Sequence, residues 1–564
     1  MRLARLSSVL VALLAAYATL GGCAPSWPDL PSPDPGRPPP QTLEEAFSDL
    51  SPVPSEARLV LLSDNTLAWA ARWDSLAHAE ESIDAVYFIL DKDIFGLAFL
   101  GHLYKKASEQ VEVRLLVDAR GTERLTGPTM GLDYLDELVA TRHADVHVYN
   151  PPLERTFEAI IRLSIVPAAA SNHDKIIIVD HRQAIMGGRN IAANYFASVA
   201  VDPRAVIDTD VLIQGERAIG QLDVAFASEF HARRRREILA DPINLISRAD
   251  ELLLYYHAMD AWLRGPPLSE EEAALLTTST DAQKREALRL EATAIRALGH
   301  LPDYDTRVRF REHAKELVRH VSLRGTLPLA EQTVYDSVVH VLDTRARLGP
   351  RTPEVSNAIV RMVQGTQREI LVESPYFILT KGALAVLKEA GERGVNITLL
   401  TNSPRSSDNA LSQAFFLQDW PEILAEVPNL RVFVVGSRSL LHAKRAVFDD
   451  TATMVGTYNL DPLSYYVNSE VVAAVWSDEF AARNRREIEE RLQSSDVFEY
   501  RIVRDHEGKP MRYPPSHPLA GEVMVAFGPR DHCDEPVCDD VRRLQGVVEI
   551  LQAVPGLDSI LMGQ

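Results

Sequence analysis

The chain has 564 residues, 46% hydrophobic and 24% charged, enough to bury at least one large core and to allow two to four domains. Its net charge of −20 opposes the phosphate backbone of a nucleic acid unless basic residues gather in one groove, so bulk nucleic-acid binding is disfavoured. The same field weakens contact with anionic lipid, and work at a membrane calls for a tether or a local basic face.

At the N-terminus, Arg2 and Arg5 precede a short apolar run, Val9 to Ala18, which closes on Leu20-Gly21-Gly22-Cys23. Residues 1–23 read as a secretory signal, too short for a comfortable membrane span. Leu20 to Cys23 resemble the lipobox of bacterial lipoproteins, which implies that Cys23 receives a diacylglyceryl group; an incidental cysteine behind an ordinary signal is the alternative. Several acyl chains on one residue give stable anchoring. Ala24 resembles the outer-membrane sorting class, so an exported, anchored protein facing the periplasm is expected. Residues 24–55 form a linker whose first part is rich in proline, with Pro38, Pro39 and Pro40 consecutive, an extended spacer.

Beyond the linker an internal repeat predicts two α/β lobes, 56–240 and 352–500, each a mixed sheet flanked by helices. Tyr87-Phe88-Ile89-Leu90 is echoed by Tyr376-Phe377-Ile378-Leu379, and the strand-like Val113 to Val117 by Ile397 to Thr401. His173-Asp174-Lys175 leads into Ile176 to Asp180 as His442-Ala443-Lys444 leads into Arg445 to Asp449, both β-strands by pattern. Glu229 to Ile238 is echoed by Glu479 to Ile488, whose arginines read as a solvated helix face. A helical insert, 241–351, separates the lobes; Ser269-Glu270-Glu271-Glu272 fits a capping box there, and Trp262 reads as core rather than as a gate for acyl chains. Residues 501–564 read as a loop-rich extension in which Cys533 and Cys538 form a small disulfide loop rather than a metal site.

In both lobes one pattern recurs: His, one residue, Lys, four residues, Asp, six residues, Gly, two residues, Asn. The members are His173, Lys175, Asp180, Gly187 and Asn190, then His442, Lys444, Asp449, Gly456 and Asn459. His and Lys two apart on a strand share a face, so an imidazole and an ammonium can meet one phosphate. Paired Lys175 and Lys444 would neutralise a phosphodiester, one neutral histidine would attack, and the other would protonate the departing alcohol, with no metal or cofactor needed. Asp180 and Asp449 fall on the opposite strand face and read as structural. Asp210 and Glu470 are the candidate carboxylates that orient the histidines. Asn190 and Asn459 offer amide donors to phosphate oxygens.

The duplicated pattern resembles the signature of the phospholipase D superfamily across both lobes. That resemblance implies a phosphohistidine intermediate resolved by water or by another alcohol. Many members place Ser after the glycine, where this chain has Gly188 and Thr457, so the first lobe is expected to lack a hydroxyl donor. Ser374-Pro375-Tyr376-Phe377, Thr401-Asn402-Ser403, Gly456 to Pro462 with Asn468-Ser469-Glu470, and Gly187 to Ile191 with Tyr195-Phe196 resemble bacterial cardiolipin synthases. Phosphatidyl transfer between phospholipids is therefore expected. Hydrolysis by the same residues and a non-catalytic lipid-binding scaffold are the alternatives; the oligomeric state stays open.

Overall fold

A computed structural model describes residues 38–51, 53–126, 133–152, 170–232, 235–239, 247–345, 353–533 and 535–552. The signal segment, Cys23 and residues 24–37 and 52 of the linker lie outside these, and the described part of that linker is not all spacer, since Leu43–Ser48 is a helix that buries Leu43 and Phe47 in the second lobe's core. No helix among the described residues is long and apolar enough to cross a membrane.

Short apolar runs bounded by turn residues become strands, as period and length dictate. The first lobe supplies β1 (Ser55–Leu62), β2 (Ser82–Tyr87), β3 (Glu112–Asp118), β4 (Ala144–Tyr149), β5 (Lys175–Val179), β6 (Gln183–Gly187), β7 (Val206–Ile207), β8 (Asp210–Gln214) and β9 (Arg235–Glu237). The second supplies β10 (Tyr335–Thr344), β11 (Glu369–Glu373), β12 (Asn396–Asn402), β13 (Leu430–Val435), β14 (Leu440–Leu441), β15 (Arg445–Phe448), β16 (Ala452–Gly456), β17 (Glu470–Trp476), β18 (Val497–Ile502) and β19 (Val525–Phe527). Hydrogen-bonded neighbours run β1-β8-β6-β5-β2-β3-β4-β9 in one lobe. In the other they run β10-β17-β16-β15-β11-β12-β13-β18-β19. The antiparallel pair β1 and β10 fuses both into one 17-stranded sheet. Because the order repeats outward from that pair, the pseudo-twofold relation of the lobes passes between β1 and β10.

β2, β3 and β4 are parallel, as are β11, β12 and β13, and parallel neighbours need helical crossovers that cover the sheet. In the first lobe the helices Ile94–Ser108, between β2 and β3, and Asp133–Ala140, between β3 and β4, do this, while Asn65–Ala77, between β1 and β2, also packs on the sheet; Asp64 and Asp93 cap the starts of Asn65–Ala77 and Ile94–Ser108. The insert helices Ala249–Leu263, Thr280–Leu298 and Tyr304–Leu317 pack outside them and close one apolar core. Trp262 is fully buried in that core, and Ser269 makes the capping box with Glu272.

Four other expectations change. The range read as a helical insert, 241–351, contains β10, a central strand, because its half-buried alternation resembles an ordinary amphipathic stretch until β1 and β17 flank it. The echo of Tyr87 to Leu90 is displaced by two residues: β2 and β11 end at Tyr87 and Glu373, and the bridges Leu90 to Ile191 and Phe377 to Leu460 make Leu90 the counterpart of Phe377. The arginine-rich segments are not equivalent either. Glu229 lies in the last turn of the helix Glu216–Phe230 and Arg235–Glu237 is strand β9, whereas Glu479 lies in the first turn of the helix Asp478–Leu492. Finally, the C-terminal extension is not all loop, since it carries a helix, Pro536–Gln552, that packs on the helix Ala410–Glu426. Cys533 and Cys538 are disulfide-bonded at its start.

Candidate active site

Both His-Lys pairs sit where a loop enters a strand, His173 two residues ahead of β5 and His442 just after β14. β14 pairs in parallel with β7 of the other lobe, and the N–H groups of His442 and Ala443 both donate to the Ile207 carbonyl, at 2.7 and 3.0 Å. That short ladder carries the next residue, Asp208, onto the histidine: its Oδ2 lies 2.7 Å from His442 Nδ1. The reciprocal contact closes the other half. Ser469 N–H donates to the Ser171 carbonyl, His173 N–H donates to Ser469 Oγ, and Glu470 Oε2 lies 3.1 Å from His173 Nδ1. Each lobe therefore supplies the carboxylate that holds the other lobe's imidazole.

Asp208 replaces Asp210 as the first lobe's orienting carboxylate, and strand register gives the reason. Gly187 pairs with Asp210 and Gly456 with Val472, so the residues two positions earlier, Asp208 and Glu470, are equivalents. Asp210 instead accepts from the buried Arg72 and Arg189 guanidiniums, each at 2.9 Å, and is structural. Asp180 and Asp449 are structural as well: at positive φ, each carboxylate accepts three consecutive backbone N–H groups, from Glu80 to Ser82 and from Gln367 to Glu369.

The residue after each glycine explains how the lobes differ. At Gly188 a Cβ would stand 2.0 Å from Asp208 Oδ1, so the missing side chain is the space that Asp208 occupies. At the matching position Thr457 Oγ1 donates to Glu470 Oε2 at 2.5 Å, while Ser464 Oγ donates to Oε1 at 2.6 Å. The hydroxyl lost from the first lobe is thus exchanged for room, and the one retained in the second serves the carboxylate.

Lys175 Nζ donates to the His173 carbonyl at 2.6 Å and Lys444 Nζ to the His442 carbonyl at 2.5 Å. Lys444 Nζ also lies 2.9 Å from His442 Nδ1. One ring nitrogen cannot give its proton to Asp208 and accept another in the same direction, so the ammonium acts there as a close positive charge. Phe88 and Tyr195 pack edge-on against His173 and His442, and Lys175 lies over the Phe88 ring.

Burial sets the electrostatics. It lowers His173 well below the usual imidazole range, helped by Lys175, Lys444 and His442, so the two imidazoles and two lysines sense one another. His442 is lowered too, by burial and Lys444, against the pull of Asp208. Burial and Lys444 bring Lys175 down to about 7, and burial brings Glu470 up to about 7 against its hydroxyl donors and the lysines. Burial opposes ionisation of Asp208, but Lys444 and His442 outweigh it and hold the carboxylate below its ordinary value.

Of the predicted phosphate donors, Asn190 is already engaged: Oδ1 accepts from Ile89 N–H and Nδ2 donates to Tyr195 Oη. Asn459 Oδ1 is buried with no partner among the described residues. Sequence reading missed Asp208, Ser469 and the carboxylate contacts of Thr457 and Ser464. Asp208-Thr209-Asp210 offered two acids on one strand face, and only the register that pairs Gly187 with Asp210 selects the first.

Residues 73–229 and 359–492 match the family described as cardiolipin synthase, PLD-like domain. The chain belongs to this family. At family level the chemistry is phosphatidyl transfer on phospholipids. Among relatives of this PLD-like chain, cardiolipin synthase C of Escherichia coli is 25% identical over 455 residues, covering 76% of this chain and 83% of its own. An uncharacterised Helicobacter pylori protein is 23% identical over 477 residues, covering 81% and 84%. The phosphatidylserine synthase structure from Haemophilus influenzae covers 91% of this chain and 98% of its own, with a TM-score of 0.55 at 12% identity, a likeness of fold.

Proposed function

We propose that this PLD-like protein transfers a phosphatidyl group from one phospholipid to the hydroxyl of another, with phosphatidylglycerol as acceptor and cardiolipin as product. The crossed pairing of Asp208 with His442 and Glu470 with His173 carries the reading, because it makes one composite centre of two imidazoles and two lysines. The cardiolipin synthases among its relatives support the choice of product.

In this reading His173, held neutral by burial and the lysines, attacks phosphorus through Nε2. The bond from phosphorus to the departing alcohol breaks, and the imidazolium form of His442, a minority form that ionised Asp208 at Nδ1 favours against burial and Lys444, gives its Nε2 proton to that alcohol. His442 then takes the proton of the incoming hydroxyl, which attacks phosphorus and releases His173. Lys175 and Lys444, with the Asn459 side-chain NH2 as an amide donor, stabilise the developing charge. Water in place of the second lipid would give phosphatidate, the hydrolytic alternative.

Labelled phosphatidylglycerol tests both. Wild type yields labelled cardiolipin, and His173→Ala and His442→Ala abolish turnover while melting as wild type does. With a nitrophenyl leaving group, which needs no proton, His442→Ala still releases a burst of nitrophenol and His173→Ala does not. Phosphatidate as the sole product at saturating acceptor overturns the transfer reading.

Cys23 is proposed as the anchor that brings this acidic protein to the bilayer. Cys23→Ser should move the protein from the membrane fraction to the soluble one, and membrane retention by the variant excludes lipidation as its tether.

A further inference from the structure

The two lobes treat the same sheet positions differently. Ala85 pairs with Ile177 in the first lobe, and Val372 with Ala446 in the second, at matching places on β2·β5 and β11·β15. Ala85 and Ile177 are wholly buried, whereas Val372 and Ala446 are only half-buried. The same holds for Ile191 and its counterpart Leu460, buried in one lobe and half-buried in the other.

Helix cover accounts for the difference. In the first lobe the helix Ile94–Ser108 buries eleven of its 15 residues, because the insert helix Ala249–Leu263 lies across it. The approach is so close that a Cβ on Gly101 would stand 2.2 Å from the Leu252 carbonyl oxygen. The matching helix of the second lobe, Lys381–Glu392, buries only Ala390 and Gly391. Its half-buried Ala383, Val386 and Leu387 instead border a cavity of about 120 Å³ over β11 and β15.

That cavity touches the active centre at Lys444. Its floor is formed by Phe448 and Ala446 of β15 with Lys444 just ahead of that strand, alternate residues on one face, and the Lys444 ammonium donates to the His442 carbonyl. The charged side chains Glu373 and Arg445 at its border bond to each other at 2.7 Å, leaving the interior apolar. A void of roughly 150 Å³ with such a lining stays dry and takes up a small hydrocarbon. An α-helix, about 10 Å across with its side chains, is too thick to enter.

We infer that this second-lobe groove is an acyl-chain site: a stretch of about six carbons from one hydrocarbon chain of the phospholipid whose phosphate sits at His442 and Lys444 lies along β15 beneath the helix Lys381–Glu392. The inference rests on the phosphatidyl-transfer reading for its substrate and adds where that substrate's tail lies. It also gives the lobes distinct tasks, the first closed by its insert and the second open to lipid.

Ala383→Phe fills the groove from the helix, and Leu387→Asn makes its wall polar with no added bulk. Turnover of dioleoyl phosphatidylglycerol and of the chainless diester bis(4-nitrophenyl) phosphate is compared, with Ala385→Phe, on the exposed side of the same helix, as control. Both groove variants should lose about tenfold or more in kcat/KM for the long-chain lipid and keep the chainless rate, since hydrocarbon pockets discriminate by roughly 10- to 200-fold. Equal rates with the long-chain lipid in wild type and both variants overturn the site, as does an equal loss with both substrates.

Binding of a parinaroyl-chain phosphatidylglycerol, followed by fluorescence in the His173→Ala background, separates the two claims. Binding that Ala383→Phe weakens, in a protein whose wild type turns over neither substrate, supports the groove and refutes the transfer reading. Transfer that proceeds with parinaroyl binding unchanged by Ala383→Phe refutes the groove and leaves the transfer reading intact.

Discussion

Replacing Asp208 by Asn separates orientation of His442 from stability of the fold. Asp208 Oδ1 already accepts from the Thr209 N–H at 2.7 Å, so the one oxygen of an asparagine is kept on that side. Its NH2 then turns to His442 Nδ1, where a carboxylate oxygen now stands at 2.7 Å. An amide donor forces the ring proton onto Nε2, the wrong tautomer for taking a proton from the acceptor alcohol. In hydrolases built on an Asp–His pair this change costs about 10⁴ in kcat. A loss of about 10² to 10⁴, or roughly 3 to 5 kcal/mol of barrier, is expected here. Asp210→Asn is the contrast, because it strands the buried guanidiniums of Arg72 and Arg189. It should cost about 3–5 kcal/mol of stability. Steady-state transfer of labelled phosphatidylglycerol and urea melts measure the two effects. A kcat for Asp208→Asn within a few-fold of wild type would refute the assignment of Asp208 to His442.

Gly188→Ala should lower kcat by about tenfold or more through the displaced Asp208 carboxylate, in the range of losses seen when an orienting partner is removed; the same turnover assay reads it, and an unchanged rate would mean that Asp208 need not stay where it is. Lys175 titrates near 7 in the fold against 10.5 for an unburied lysine. Between those values the unfolded chain binds the extra proton, so stability through this group is lowest below pH 7 and rises as pH climbs toward 10.5. Lys175→Met should remove that rise, seen as a smaller difference between urea midpoints at pH 7 and pH 10 than in wild type. Thr457→Val takes one hydroxyl donor from Glu470 and should reduce turnover less than Gly188→Ala, because Ser464 continues to hold the other oxygen.

The duplicated His-Lys pattern announced the lobes and their reacting side chains because a strand of period two fixes which residues share a face from local spacing alone. Glu470 was legible for the same reason, leading directly into an apolar run. Asp208 was not. Whether it or Asp210 reaches a histidine depends on how β6 registers against β8, and two acids of like spacing point to the same side of the strand. Nor could local pattern tell β10 from a helix of the insert, since that strand becomes central only when β1 and β17 flank it.

What the sequence determined alone, then, was chemistry carried within a few residues: two imidazoles, two ammoniums, an acidic surface and a duplicated strand. Only tertiary structure decided which carboxylate serves which histidine, because the partners lie 234 and 297 residues apart and meet through the crossing of the lobes. It also decided that equivalent sheet faces are sealed in one lobe and open in the other. Burial of an apolar face depends on what packs over it, and the insert that covers the first lobe has no signature in the strands it covers.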